Sequence, residues 1–244
     1  MSYHQMAQVY DRLMVDAPYD NWVKFTKNMI DEFHPQVKTI LDVGCGTGEI
    51  THRLDGVKFR LTGVDLSEEM LAMAQQKNPR SKIQWLHQDM TQLEGIDHYD
   101  CVISYCDVLN YLTDENSVRN AFTSIYDALN PRGLFLFDVH SIDHIHEDLY
   151  GSTFAEVYDE LSYVWFCDPG ETDNSVVHDL TFFVQDGEKY IRFDERHDQK
   201  GYPTKDLQHW LEEAGFKIKR VCADFDEKPS TVGDRLFFVC EKAL

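Results

Sequence analysis

The chain is poor in positive charge. Its 244 residues hold 23 lysines and arginines against 43 aspartates and glutamates, a formal net charge of −20. A phosphate backbone would be repelled by most of such a surface. No Lys/Arg cluster with interleaved aromatics reverses that locally, so nucleic acid is not expected as a partner. Long apolar runs are also missing, because Asp42, Asp65 and Asp138 break the strand-like stretches. No run reaches the length of a transmembrane helix, and no membrane partner is expected. Residues 1–10 lack the basic flank and apolar core of a signal peptide. The six cysteines, at 45, 101, 106, 167, 222 and 240, form no C-x-x-C pair. A chain of this size needs no disulfide staples, so free thiols and a cytoplasmic location are expected, with Cys101 and Cys240 buried in apolar strands. There is no internal repeat and no low-complexity tract.

What is present is a 43% hydrophobic chain in which strand-like and helix-like patterns alternate. Asp20 is placed to cap a helix with the stripe Trp22, Phe25, Met29, Ile30 and Phe33, ended by Pro35. Strands are read at 37–43, 59–64, 83–86, 99–104 and 134–139. Ser67 and Thr113 are placed as caps of intervening helices, and 130–133 (Asn-Pro-Arg-Gly) as a turn. The stretch 141–201 reads differently, as antiparallel β. Its clearest signal is a hairpin of 181–185 and 188–197 around Asp186-Gly187. A helix capped by Thr204 and closed by Gly215 follows, then strands near 216–221 and 236–240. The expected fold is α/β: one domain over 1–244 with a Rossmann-like, doubly wound, seven-stranded sheet. That sheet would be mostly parallel with an antiparallel last strand, and 141–201 would be an inserted antiparallel β cap.

Ligands of such sheets bind at the carboxyl ends of the strands. There the sequence places Gly44-Cys45-Gly46-Thr47-Gly48, then Asp65, then Asp89. Glycines allow a sharp turn and let a ligand approach the amides. Asp65 is suited to a ribose diol and Asp89 to an adenine amino group, with Leu66 and Met90 clamping the ring. A dinucleotide oxidoreductase is the rival reading, but its fingerprint is G-x-G-x-x-G. Here the spacing is G-x-G-x-G and position 49 is Glu, which is unwelcome beside a pyrophosphate. S-adenosylmethionine carries no phosphate, and Asp42 could hold its ammonium.

The strings "ILDVGCGTG" (40–48), "LTGVDLSEEML" (61–71), "HQDM" (87–90), "YDCVISYCDVLNYL" (99–112) and "LNPRGLFLFDV" (129–139) together resemble the class I S-adenosylmethionine-dependent methyltransferases. The resemblance is to a small bacterial branch distantly similar to glycine N-methyltransferase. It implies that Gly44, Gly46 and Gly48 line the methionine part, Asp65 the ribose, and Asp89 with Met90 the adenine. Cys45, Tyr105 and Cys106 would lie beside the cofactor. "VYDRLM" (9–14) resembles the family's N-terminal segment, whose tyrosine, here Tyr10, folds over the cofactor.

Methyl transfer from a sulfonium needs alignment, water exclusion and sometimes loss of a proton, but no triad or metal. Histidines 140, 144 and 146 follow the fifth strand, but three loop histidines are ordinarily unliganded and no metal is expected. His140 is instead placed near substrate. The 141–201 insertion holds 15 acidic and 4 basic residues with ten aromatics, among them Trp165. Acids among aromatic faces suit a cationic or amine ligand. Glu195 and His197 share one strand face and are placed at the substrate, His197 as a proton acceptor. The expectation is an enzyme, monomeric or dimeric, that methylates a small molecule, with an amine the favoured class. A non-catalytic S-adenosylmethionine-binding regulator is the other reading.

Overall fold

The run Thr39–Val43 forms the central strand β1 because four successive residues, Ile40 to Val43, can be buried on both faces of a parallel sheet. A computed structural model describes residues 9–56 and 58–243. After a helical segment over 9–13 come α1 (Tyr19–Phe33), β1, α2 (Glu49–Leu54), β2 (Arg60–Asp65), α3 (Glu68–Lys77), β3 (Gln84–His87) and β4 (Tyr99–Ser104). A 3-10 turn (Val108–Tyr111), α4 (Glu115–Ala128) and β5 (Leu129–His140) follow. Short helical turns over 142–149 lead into β6 (Ser152–Val157), β7 (Leu161–Pro169), β8 (Ser175–Asp186) and β9 (Lys189–Lys200). Then come α5 (Thr204–Glu213), β10 (Phe216–Ala223), β11 (Asp226–Pro229) and β12 (Arg235–Lys242).

Among the described residues the main sheet has eight strands in the order β11-β10-β12-β5-β4-β1-β2-β3. The core strands β5-β4-β1-β2-β3 are parallel, and β12 inserts antiparallel between β5 and β10. This is the expected Rossmann-like sheet with one more strand, because Asp226–Pro229 adds an edge to β10. Strand alternation splits the core in two. Leu134, Leu136, Phe237 and Val239 face α1, while Phe135, Phe137, Phe238 and Cys240 face α4 and α5. The four strands β6-β7-β8-β9 form a separate antiparallel sheet inserted after β5.

Local signals shift by a residue or so. Ser67 caps α3 as expected, accepting from Met70 N at 3.2 Å. Asp20 lies inside the first turn of α1, whose cap position is Pro18. Asp114, not Thr113, caps α4 and accepts from Ser117 N at 3.0 Å, the carboxylate being the better acceptor. Thr204 is the first residue of α5, after Pro203. Residues 130–133 do not end an element. They bulge within β5, where Tyr99 pairs with Leu129 but Cys101 with Leu134. The hairpin loop is Gly187-Glu188, since Asp186 pairs with Lys189. A primed turn needs positive φ at its first loop position, and Gly187 supplies +63° there.

Because β12 runs antiparallel, its first residue, Arg235, pairs with His140, the last of β5. That delivers a guanidinium to the end of the sheet where the ligand loops gather. Beneath it, Phe237 is fully buried against the rings of Phe25, Tyr105 and Phe225, so it joins α1, the end of β4 and the end of β10. Replacing Phe237 with Ala is expected to lower stability by about 3–5 kcal/mol in urea unfolding, with little change in the denaturant slope.

Candidate active site

Gly44, Gly46 and Gly48 all take positive φ, +74°, +53° and +76°, so the chain turns sharply between β1 and α2. The turn is packed at both ends and open in the middle. A Cβ on Gly44 would strike Val108 and one on Gly48 would strike Trp85, but one on Gly46 would meet nothing within 4 Å. A ligand can therefore reach the backbone at Gly46. Asp65 braces this turn. Its Oδ2 accepts from Gly46 N at 2.8 Å and its Oδ1 from Ser67 N at 2.9 Å. Burial raises its carboxyl pKa, against the pull of those backbone bonds. Each oxygen keeps a lone pair for a diol. Next to it Leu66 is 67% exposed, an apolar side chain left bare at a strand end.

Asp42 lies beneath the turn, 4% exposed, and accepts from Thr51 Oγ1 at 2.5 Å. Burial pushes its carboxyl up to about 7, only partly offset by Thr51. Cys45 sits in the turn itself, a thiol pushed up by burial. At the end of β3, exposed Asp89 bonds Thr91 N and Oγ1, both at 2.8 Å, and Met90 is buried behind it. Tyr105 follows β4 but turns its ring into the core, where its hydroxyl shares a 3.0 Å hydrogen bond with Thr26 Oγ1. Cys106 is half-buried at the same strand end.

Tyr10 comes over this loop cluster from the N-terminal helical segment, close to Cys106, Tyr111 and Asp107. Burial and those neighbours raise its hydroxyl pKa. The segment is tied down by the next residue. Asp11 accepts from Thr47 Oγ1 at 2.6 Å and pairs with Lys77 at 2.7 Å, and Lys77 also pairs with Glu49. Glu49 thus has cationic partners in Lys77 and Arg53. Burial alone would raise its carboxyl, but the two cations hold it below the usual range.

The inserted sheet turns one face to this site. Phe193, Glu195, His197 and Gln199 alternate inward on β9, opposite Phe182, Leu180, His178 and Val176 on β8. Glu195 is 5% exposed. Burial lowers the His197 pKa, opposed in part by Asp198 and Asp107. The buried Nε2 of His197 has no hydrogen-bond partner among the described residues. Its ring meets Tyr111 edge-on at 5.8 Å. Trp165 donates to His178 Nδ1 at 3.0 Å, and His140 Nε2 lies 3.6 Å from Asp107 Oδ2. The other two histidines go elsewhere: His144 to Asp148, in an exposed cluster with Asp234, and His146 to Asn174.

A group of residues not singled out in the sequence joins these parts. Asp138, 0% exposed, accepts from Trp22 Nε1 at 2.6 Å, Asp107 N at 2.8 Å and Arg235 Nη1 at 2.8 Å. Arg235 Nη2 also donates to Asp107 Oδ1 at 2.9 Å, and Gln199 Nε2 to Asp107 Oδ2 at 2.7 Å. The one available signal was an aspartate inside the apolar run of β5.

The open glycine turn, the acid ending β2 and the cap over the strand ends fit an adenosyl amino acid, and so define a class I S-adenosylmethionine-binding domain. Residues 40–133 match the family model described as "Methyltransferase domain". The Bacillus subtilis (strain 168) protein named "Putative methyltransferase YqeM" is 46% identical over 246 residues, covering 100% of this chain and 98% of that one. A crystal structure of an S-adenosylmethionine-dependent methyltransferase from Clostridium acetobutylicum ATCC 824 superposes with a TM-score of 0.89 at 28% identity, covering 100% of both chains. S-adenosylmethionine-bound CalS10, an amino pentose methyltransferase from Micromonospora echinaspora, shares the fold at 18% identity (TM-score 0.77, 96% of this chain and 97% of that one). The chain belongs to the S-adenosylmethionine-dependent methyltransferases, and its cofactor is S-adenosylmethionine. No helix among the described residues is long and apolar enough to cross a membrane.

The raised Asp42 pKa has a testable sign. In the unfolded chain this carboxyl ionises near 3.8, in the folded protein near 7. The native state therefore holds a proton that the unfolded state has lost, and stability falls as pH rises between those values. In the ligand-free protein, the gain in Tm from Asp42→Asn is expected to grow from pH 5 to pH 7 and then level off. Thermal unfolding at several pH values checks this, and a gain independent of pH would contradict it.

Proposed function

We propose that this methyltransferase transfers the methyl group of S-adenosylmethionine to the nitrogen of a small amine, with the inserted β sheet as the acceptor's cradle. The observation that carries the reading is His197. It is a half-buried histidine whose pKa burial lowers, and its buried Nε2 has no hydrogen-bond partner among the described residues; it lies on the same inward strand face as the buried carboxylate of Glu195. A carboxylate suits an ammonium, and a neutral imidazole suits the proton that an amine must lose. The amino pentose methyltransferase CalS10, with the same fold, supports an amine acceptor by analogy.

Bound S-adenosylmethionine supplies a methyl group on a sulfonium, already activated for in-line displacement. In this reading the protein's residues hold and orient. Gly44, Cys45, Gly46 and Gly48 present backbone to the methionine part, and Asp42 faces its ammonium. Asp65 accepts from the ribose, while Leu66, Asp89 and Met90 receive the adenine. Tyr10 closes over the top and excludes water, and Cys106, with the backbone of Tyr105, forms the floor. On the acceptor side, Glu195 attracts the ammonium and His197 takes the proton. Trp165 and His140 bound the chamber.

A panel of amines and their hydroxyl counterparts, assayed by mass spectrometry for transferred methyl, tests the reaction. Methylated amines with untouched alcohols are expected, and methylation confined to hydroxyl or thiol acceptors would overturn the amine assignment. His197→Gln is expected to lower kcat by about 100-fold or more with a smaller effect on acceptor KM. The acid limb of the kcat–pH profile is expected to lie below the ordinary histidine range, because burial lowers the His197 pKa.

A further inference from the structure

Cys106 and Asp107 take φ +60° and +54° in succession. Side chains with a Cβ rarely adopt this left-handed region, and such strain persists only where the surroundings impose it. Here they do. The buried carboxylate of Asp138 takes the amide of Asp107 at 2.8 Å and that of Cys106 at 3.3 Å. The strain turns the Asp107 side chain away from the line of β4 toward the cap.

Asp107 stands at the seam of the two half-sites. On its cofactor side, the next residue, Val108, fills the space where a Cβ on Gly44 would be. On its cap side, Gln199 holds Oδ2 at 2.7 Å, and Asn110 Nδ2 donates to the Lys200 carbonyl at 2.9 Å. Tyr10, His178 and His197 all lie within reach of its charge. Burial alone would raise its carboxyl, but His140, Arg235 and Gln199 hold it well below the usual range. Its side chain is still 20% exposed. Arg235 is shared between Asp107 and Asp138.

The cap side is polarised toward the same carboxylate. Trp165 Nε1 can only donate, so His178 Nδ1 accepts and His178 Nε2–H donates to Gln199 Oε1 at 3.1 Å. Gln199 then turns its amide nitrogen to Asp107. Each donor in the series Trp165, His178, Gln199 points toward Asp107, which fixes the side-chain amide of Gln199 without ambiguity.

We propose that Asp107 determines acceptor specificity, its carboxylate taking a hydrogen bond from the acceptor nitrogen and aiming the nitrogen at the transferring methyl. Trp165, His178 and Gln199 are positioning residues that hold Oδ2 while Arg235 holds Oδ1, so the acceptor nitrogen takes a remaining lone pair of the carboxylate. This rests on the amine reading above. No proton is transferred to Asp107, and the proton lost by the nitrogen goes to His197.

The test uses two analogues of S-adenosylhomocysteine in which nitrogen replaces sulfur, one carrying a 3-aminopropyl arm and one a butyl arm. The arm reaches where the acceptor sits, so no acceptor need be known. By calorimetry the wild-type protein is expected to bind the amino-armed analogue about tenfold or more tighter, the scale of a charge-assisted hydrogen bond. Asp107→Asn keeps the shape and tolerates positive φ. It is expected to reduce that preference to about twofold or less while S-adenosylhomocysteine affinity stays within about threefold. Should the Asn protein not fold, Asp107→Ser is expected to show the same loss. A preference that survives in the Asp107 variants but is lost in Glu195→Gln overturns the assignment to Asp107 and leaves the amine reading standing. A wild-type protein that prefers neither arm overturns both.

Discussion

The bond between Arg235 and the two aspartates it bridges is the constraint on which the site depends. Asp138 is wholly buried, and removing a carboxylate from water is costly unless it is fully hydrogen-bonded. Four donors from three pieces of the fold meet that demand: Trp22 from α1, Cys106 and Asp107 from the loop after β4, and Arg235 from β12. A buried ion cluster of this kind is weak evidence for stability as such. Its consequence is geometric, because the loop after β4 can take only the conformation in which both amides reach Asp138.

From that loop the arrangement spreads both ways. Val108 closes on the first glycine of the cofactor turn, so the turn and the β4 loop share one packing surface. Asp107 and Asn110 reach the end of β9 and fix where the inserted sheet sits. The glycine turn, built by the parallel strands, and the antiparallel insertion, which we propose as the acceptor's cradle, thus meet on a single short segment. Tyr10 and Asp11 come in from the N-terminal side, secured by the contacts of Asp11 to Thr47 and Lys77.

Much of this was legible in the sequence and some was not, for physical reasons. The strands showed because burial on both faces needs continuous apolar runs, and the glycine turn showed because its positive φ values restrict residue type. The caps of α4 and α5 slipped by one residue because Thr-Asp and Pro-Thr each offer neighbouring candidates, and local pattern does not choose between them. The inward face of β9 was legible from a period of two. The Asp107–Asp138–Arg235 cluster was not, since its members lie 31, 97 and 128 positions apart and meet only once β12 inserts antiparallel beside β5. Tyr105 shows the reverse limit: the motif places its backbone at the strand end, but the side chain follows the alternation of β4 into the core.

The most direct test of this account is amide hydrogen exchange with and without saturating S-adenosylhomocysteine. If cofactor and cap meet on the β4 loop, protection is expected to rise together in 44–48, 65–67 and 105–108, and in 9–13 where Tyr10 closes. Protection confined to the inserted sheet, or absent from the loop after β4, would contradict it.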